Sequence, residues 1–369
     1  MSIIKNLLLV VIVSLITIKL SDITYGYFKS LEVASKGNSI TTRSIVLREW
    51  GKPGTYFVAP TKQYQAGSSG LELKEYIINI DNDGFISSNK NENIDNNINA
   101  DIIFFGGSTT EGLFVNENDR FPAVVEKNIS KKLKRKIKVL NSGVSGNNAF
   151  HSILLLQSKG LKYDPKVVVL MNNVNDYSLL SKTGSYFIAP PNRSIIDDGL
   201  DSRKWLSYKI LRNIKNLLMP YIYDDILRNY KYLIFNSPDE FEGFRDNSLY
   251  SPEEVLHEYE NTLRSFIKIC KAWNIVPVLM TQAHRIGPDT ERHVFSESEK
   301  INLDIYWKYH KLFNDKVRQI AYEESIKLID LEVSIINGKK QYIYDTVHFN
   351  SEGSKVVGNL ISNELIEYF

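Results

Sequence analysis

Apolar positions along this chain fall into short continuous runs that alternate with segments of helical spacing. The runs are rich in Val, Ile, Leu and Phe, which is typical of strands buried on both faces of a parallel sheet. There are five of them, at residues 101–105, 137–140, 166–171, 276–280 and 326–330. Between the runs, apolar residues recur every three or four positions, as in Phe121, Val124, Val125 and Ile129, which predicts amphipathic helices. Alternating strands and helices predict an α/β fold with a parallel five-stranded sheet covered on both faces.

The first 24 residues have the pattern of an export signal. Lys5 precedes an apolar run at residues 7–18, and Lys19 follows it. The run is shorter than the roughly 20 residues of a typical membrane span and fits the apolar part of a signal peptide. Because no clean cleavage site follows, we expect an uncleaved membrane anchor. A cleaved signal peptide and a buried helix are the alternatives. Either export interpretation places the rest of the chain outside the cytoplasm, in the periplasm, at the cell surface or secreted.

The remaining chain divides into two parts. Residues 25–98 predict an irregular region with short strands, and residues 99–369 contain the regular α/β pattern. Residues 177–250 form a long insertion in that pattern, rich in aromatic, Lys and Arg side chains. A lid over the site, a membrane-surface segment and a small helical subdomain with its own core are all consistent with this composition.

Charge and cysteine content exclude several kinds of function. Lys and Arg total 45 against 43 for Asp and Glu, which gives no general attraction to nucleic acid. The one cysteine, Cys270, cannot form an internal disulfide, and its apolar neighbours predict a buried thiol on a helix.

No His, Asp or Glu cluster has metal-binding spacing, and no glycine loop has a dinucleotide or phosphate pattern. We therefore predict no metal and no cofactor.

Polar segments follow the first three predicted strands, whose carboxyl ends meet at one edge of the sheet. Residues 106–112, 141–148 and 172–176 are these segments, and residues 345–350 form a fourth before the last predicted helix. Acyl transfer requires a nucleophile, a base that takes its proton and a group that orients the base. Ser108 after two glycines, and Asp345 and His348 in one turn, supply these three groups.

The four polar segments resemble the motifs of the SGNH/GDSL hydrolase family. The matching segments are Gly106-Gly107-Ser108, Ser145-Gly146-Asn147, Asn173-Val174-Asn175-Asp176 and Asp345-Thr346-Val347-His348. The first has the Gly-Gly-Ser-Thr form of one large branch of the family. Gly107 stands where the Gly-Asp-Ser motif that gives the family its name has Asp. Asn173 stands where the family usually has Gly. The similarity covers about residues 80–369 outside the insertion and implies a flavodoxin-like three-layer α/β/α fold.

The resemblance also implies a role for each matching residue. Ser108 would be the nucleophile, His348 the general base and then acid, and Asp345 the carboxylate that orients the imidazole. The backbone amides of Ser108 and Gly146 and the side-chain amide of Asn175 would bind the oxyanion. Candidates for lining the substrate are Thr109, Asn147, Asp176 and His284.

The leading hypothesis is hydrolysis of an acyl or acetyl ester on an extracytoplasmic glycan, lipid or small molecule. Transfer of an acyl group to or from a cell-envelope polysaccharide uses the same acyl-enzyme and differs only in the acceptor. A non-catalytic, glycan-binding protein with the same fold is the alternative from a different class. It predicts no covalent labelling of Ser108.

Overall fold

The computed structural model describes residues 10, 12–25, 28, 44–45, 47–51, 53–62, 68, 70–87, 99–188, 195–197, 250–285 and 297–369. The chain divides into two compact units, Met1–Val46 with Ile196–Pro238, and Leu47–Ile195 with Asp239–Phe369. In the first unit, residues 12–25 are helical and Ser44–Ile45 pairs antiparallel with Ile196–Asp197.

The predicted export signal is only partly within the described residues, since residues 1–9 and 11 lie outside them. Among the residues that the structure describes, no helix combines the length and hydropathy needed to cross a membrane. The anchor or signal peptide therefore stays a prediction.

An eight-stranded mixed sheet forms the centre of the second unit. Its strands are β1 (Gly54–Val58), β2 (Tyr76–Ile80), β3 (Ile86–Ser87), β4 (Ile102–Gly106), β5 (Val139–Gly143), β6 (Val167–Met171), β7 (Val276–Met280) and β8 (Lys327–Ile329). They lie side by side in the order β8-β7-β6-β4-β5-β3-β2-β1. Strands β4 to β8 are parallel to one another, in the order of flavodoxin-like folds.

Three antiparallel strands, β1 to β3, extend the sheet beyond the five parallel strands that we predicted. Ile86 of β3 lies opposite Asn141 of β5, so the edge of the parallel part is paired rather than open. These strands come from residues 25–98, which we predicted as a separate irregular region. Leu47–Ile195 belongs to the same compact unit as Asp239–Phe369.

Nine α-helices of this unit lie within the described residues. They are α1 (Ser108–Glu111), α2 (Phe121–Leu133), α3 (Ala149–Leu155), α4 (Val174–Thr183), α5 (Pro252–Ala272), α6 (Glu297–Glu323), α7 (Leu331–Ser334), α8 (Lys339–Tyr342) and α9 (Ser351–Leu365). Helix α5 begins with a capping box between Ser251 and Glu254, with proline at its first position.

Side chains of β4 alternate between two hydrophobic cores, one on each face of the sheet. Ile103 and Phe105 enter the first core, with apolar residues of α3, α5 and α6. Ile102 and Phe104 enter the second, with residues of α2 and α9. Cys270 is fully buried in the first core, as predicted, and this burial raises the pKa of its thiol to about 12.

The start of the predicted insertion at residues 177–250 packs into the main domain. Tyr177, Leu180 and Tyr186 are buried in the first core, so α4 and the residues just after it belong to the α/β unit. Residues 189–194 and 198–249 lie outside the described residues, and the role of the insertion stays a prediction.

Candidate active site

Ser108 lies at the carboxyl end of β4, where the chain turns into α1. The turn is tight because α1 lies directly against the ends of the neighbouring strands. A Cβ on Gly106 would lie 2.6 Å from the carbonyl oxygen of Met171, and one on Gly143 would lie 2.3 Å from the amide nitrogen of Glu111. Glycine at both positions is therefore a condition of placing Ser108 at this edge of the sheet.

Asp345 and His348 lie in a closed turn between α8 and α9. The amide of Tyr344 donates to the carbonyl of His348 (2.9 Å), and the amide of Asn350 donates to the carbonyl of Tyr342 (3.0 Å). Within the turn, Asp345 Oδ1 accepts the backbone amide of His348 at 2.8 Å. This closure explains how two residues three positions apart face the same point.

Ser108, His348 and Asp345 form a continuous hydrogen-bonded chain. Ser108 Oγ lies 2.7 Å from His348 Nε2, and His348 Nδ1 lies 2.6 Å from Asp345 Oδ2. The Asp345 side chain is 4% exposed and that of His348 is 23% exposed. The carboxylate is thus shielded from water while the imidazole reaches the surface. The arrangement can take a proton from the serine and stabilise the resulting imidazolium.

Two of the predicted oxyanion donors lie on segments that follow neighbouring strands, Gly146 in the turn after β5 and Asn175 in the first turn of α4. Gly146 lies in a turn with φ +80°, a conformation that favours glycine. Asn175 Nδ2 donates to the carbonyl of Asn147 at 2.9 Å. The same nitrogen would lie 2.4 Å from a Cβ on Gly107, which places the Asn175 amide directly beside the residue preceding the nucleophile.

The two departures from the family pattern have a structural explanation. Any side chain at position 107 would collide with the Asn175 amide, so glycine fits here where aspartate would not fit without a shift. Asn173 has φ −164°, an extended conformation that does not require glycine. Its Nδ2 donates to the carbonyl of His310 and to Asn314 Oδ1, both at 2.9 Å, and so ties α4 to α6.

The four candidates for lining the substrate are all buried: Thr109, Asn147, Asp176 and His284. Thr109 Oγ1 accepts a hydrogen bond from Gln282 Nε2 at 2.9 Å. Asn147 Nδ2 donates to the carbonyl of Arg48 at 3.0 Å. These hydrogen bonds connect Thr109 and Asn147 to distant parts of the chain, and a substrate-lining role for the four residues stays a prediction.

Asp176 is fully buried beneath the site. Its Oδ1 accepts the backbone amide of Ala149 (2.8 Å) and the hydroxyl of Tyr186 (2.6 Å). Burial raises the pKa of the Asp176 carboxyl to about 7, against hydrogen bonds that lower it. Asp176 thus joins α3, α4 and the segment after α4.

A buried glutamate and a segment before β1 also support the site, and we did not predict either. Glu111 accepts hydrogen bonds from Trp50 Nε1 (3.1 Å) and from the hydroxyl of Ser145, and burial raises the pKa of its carboxyl. Arg48 Nη2 donates to the carbonyl of Ser145 at 2.8 Å. The hydrogen bonds of Glu111 and Arg48 to Ser145 hold the turn that contains Gly146. No sequence pattern marks Arg48 and Trp50, which lie almost 100 positions before that turn.

The prediction that no metal cluster exists rested on spacing along the sequence. The structure brings His284, His310 and Glu332 together, with one possible ligand atom of each within 4.8 Å of the others. These residues come from three separate elements, so their sequence spacing gives no signal.

The chain is similar to one known protein family and to several solved structures. The profile of the GDSL-like Lipase/Acylhydrolase family matches residues 104–356. No curated protein matches the chain. Among solved structures, Axe2, an acetylxylan esterase from Geobacillus stearothermophilus, is similar with 16% identity and a TM-score of 0.43, covering 73% of this chain and 96% of Axe2. A GDSL-like lipase from Bacteroides thetaiotaomicron has 14% identity and a TM-score of 0.40, covering 72% of this chain and 87% of that lipase.

Proposed function

This chain belongs to the GDSL-like lipase/acylhydrolase family and is a carboxylic-ester hydrolase, and we propose that Ser108, His348 and Asp345 carry out its reaction. The observation that carries the proposal is the hydrogen-bonded chain from Ser108 Oγ through the imidazole of His348 to the Asp345 carboxylate. A serine hydroxyl is a weak nucleophile by itself, and an adjacent, oriented base activates it.

In the proposed first step, Ser108 Oγ attacks the ester carbonyl carbon while His348 Nε2 takes the hydroxyl proton. The carbonyl oxygen becomes negatively charged and accepts hydrogen bonds from the amides of Ser108 and Gly146 and from Asn175 Nδ2. Asn175 uses one amide hydrogen on the Asn147 carbonyl, which leaves its second for the oxyanion. His348 then gives the proton to the leaving alcohol, the carbon–oxygen bond breaks, and an acyl-enzyme on Ser108 results.

The second step determines whether the product is a free acid or a new ester. His348 takes a proton from the incoming hydroxyl, whose oxygen attacks the acyl carbon, and then returns the proton to Ser108 Oγ. Water as the acceptor gives hydrolysis, and a sugar hydroxyl gives acyl transfer. We place hydrolysis first because the family is one of hydrolases.

We further propose that the ester is an acyl or acetyl group on a glycan, lipid or small molecule outside the cytoplasm. The support is Lys5, the apolar run at residues 7–18 and Lys19, which suit a membrane anchor or an export signal. Fusing a reporter enzyme that is active only outside the cytoplasm to the C-terminus tests this location. Activity of this fusion supports export. A second fusion carries a reporter that is active only inside the cytoplasm, and activity of that fusion alone contradicts export.

Ester hydrolysis itself is tested with p-nitrophenyl acetate, butyrate and octanoate. We expect Ser108→Ala and His348→Ala each to lower kcat/KM by at least about 1,000-fold, because either change removes the activated nucleophile. His257→Ala is the matched control, since His257 is an exposed histidine on α5, and it should keep the wild-type rate. Variants that stay within tenfold of the wild type would contradict the proposed roles.

The same assay separates hydrolysis from transfer when a soluble oligosaccharide is added as an acceptor. A hydrolase releases free acid with little change in product, whereas a transferase turns over faster and forms an acylated sugar. Mass spectrometry of the sugar fraction identifies the second case.

A further inference from the structure

Two histidines and a glutamate form a buried cluster outside the triad. His284 follows β7, His310 lies in α6, and Glu332 lies in α7 after β8. One possible ligand atom from each residue lies within 4.8 Å of the other two. His284 is 7% exposed and His310 is 1% exposed, so both imidazole rings are almost completely shielded from solvent.

Ring nitrogens of both histidines lack a protein partner among the described residues. His284 Nε2 lies 3.1 Å from Glu332 Oε1, but His284 Nδ1 and His310 Nε2 are buried without a hydrogen bond. The centroids of the two rings are 4.2 Å apart, and the ring planes are inclined by 49°.

Neighbouring side chains orient the cluster. Arg318 Nη2 donates to Glu332 Oε2 at 2.6 Å, which leaves Oε1 directed at His284. Thr281 Oγ1 accepts the backbone amide of Glu332 at 3.1 Å, so the segment after β7 is fixed to α7. Outer hydrogen bonds of this kind hold first-sphere ligands in protein metal sites.

Arg318 connects the cluster to two further carboxylates. It forms ion pairs with Glu332 and also with Asp315 and Asp330.

We propose that His284, His310 and Glu332 bind a divalent transition-metal ion, with Zn²⁺ the best match to two imidazoles and one carboxylate. This ligand set is one that Zn²⁺ uses in proteins, with metal–ligand distances of about 2.0–2.2 Å. The ligand atoms, now within 4.8 Å of one another, need only small side-chain rotations to reach such distances.

One backbone hydrogen bond connects this cluster to the catalytic turn. The amide of Arg285, next to His284, donates to the carbonyl of Thr346 at 2.8 Å, and Thr346 lies between Asp345 and His348. A metal held by His284 would fix this contact and with it the turn. The ion thus has a stabilising role and takes no part in the acyl-transfer steps.

Metal content and cobalt spectroscopy test the proposal without an activity assay. The full chain, purified in detergent, is stripped with a chelator, dialysed and titrated with Zn²⁺ or Co²⁺. We expect one ion per chain, a rise in Tm with Zn²⁺, and visible absorption from Co²⁺ bound by nitrogen and oxygen ligands. His284→Gln and His310→Gln should weaken binding by at least about 10- to 100-fold, and the exposed-histidine control His257→Gln should bind like the wild type.

Wild-type chain that takes up no Zn²⁺ at micromolar concentration would overturn the proposal. So would a cobalt spectrum unchanged in His284→Gln. If His310→Gln does not fold, Glu332→Gln replaces it, and an unchanged spectrum in both His284→Gln and Glu332→Gln overturns the site. Ser108→Ala should bind the metal normally, so failure of the metal site and failure of the proposed esterase are distinguishable.

Discussion

The Asp345 carboxylate satisfies three donors in one short turn. It accepts the amides of Val347 and His348 on Oδ1 and the imidazole Nδ1–H of His348 on Oδ2. The carboxylate therefore both shapes the turn and selects the imidazole tautomer that leaves Nε2 free to accept the Ser108 proton.

Replacing this carboxylate by an amide separates the two roles. In Asp345→Asn the side-chain oxygen can still accept the two backbone amides, but the amide nitrogen favours the wrong tautomer of His348. We expect kcat for p-nitrophenyl acetate to fall by about 10,000-fold with little change in Tm. Steady-state kinetics and thermal unfolding check this. A variant that keeps more than a tenth of the wild-type kcat would show that Asp345 does not orient the base.

Gly107 tests the placement of the proposed oxyanion donor Asn175. In Gly107→Ala the new methyl group would lie 2.4 Å from Asn175 Nδ2, so the amide must move. Since loss of one oxyanion donor costs roughly 100- to 1,000-fold in rate, we expect kcat to fall by about 100-fold with KM nearly unchanged. Gly51→Ala is the matched control, because nothing lies within 4 Å of the added Cβ. Equal rates for both variants would contradict the assignment of Asn175.

Among the elements, α2 and α9 pack closely at a glycine. A Cβ on Gly358 of α9 would lie 2.6 Å from the Cβ of Val124 on α2. Asn128 and Lys132 of α2 also donate to side chains of α9. The close approach is necessary because both helices cover the second core from the same face of the sheet.

We expect Gly358→Ala to lower the free energy of unfolding by about 1–3 kcal/mol through overpacking. Val124→Gly removes both colliding atoms, Cβ and Cγ1, so the double variant should be more stable than the sum of the two single changes by about 0.5–3 kcal/mol. Urea unfolding of the four proteins measures this coupling. Strict additivity would contradict the packing at this glycine.

The elements that the sequence predicts well are those with a strong apolar period. Strand β7 has the predicted bounds, and β4 and β6 differ from theirs by one residue. Over residues 149–161 the apolar spacing predicts one α-helix, but α3 ends at Leu155 and a π-helical turn, Leu156–Gly160, follows. The spacing of apolar residues does not distinguish an α-helix from a π-helical turn that continues it.

The sequence also does not predict which strands the short strands β1 to β3 pair with. β1 and β2 are visible as short apolar segments, but their place in the main sheet depends on β3, which has only two residues, Ile86–Ser87. A pairing of this length is decided by tertiary contacts and has no sequence pattern of its own.

For the whole molecule, the buried Asp176 makes stability depend on pH. Its carboxyl has a pKa of about 7 in the folded chain and an ordinary, lower value in the unfolded chain. Between these two values the folded chain binds a proton that the unfolded chain releases, so this group's contribution to stability falls as the pH rises through about 4 to 7. The effect is at most about 4 kcal/mol.

We expect Asp176→Asn to remove this dependence, because an amide oxygen can still accept the bonds from Ala149 and Tyr186 without a charge. The wild type should lose stability relative to the variant as the pH rises from 5 to 7.5. Urea unfolding of both proteins across this range measures the difference. Parallel curves would show that Asp176 titrates normally.

The candidate site depends on contacts across the whole chain. Ser108 and His348 are 240 positions apart, and only the resemblance of their motifs to one family connected them before the structure did. The supports of the site had no such motif: Arg48, Trp50 and Gln282 act through hydrogen bonds to residues far away along the chain. Motifs thus predicted the reacting groups, and the fold was needed to find what holds them.

Covalent labelling tests the central claim, that His348 and Asp345 activate Ser108. The purified chain is treated with a fluorophosphonate probe, digested and analysed by mass spectrometry, beside Ser108→Ala and His348→Ala. We predict one probe per wild-type chain, on the peptide that contains Ser108, and no labelling of either variant. A folded wild-type chain that stays unlabelled, or that is labelled at another serine, would contradict the account.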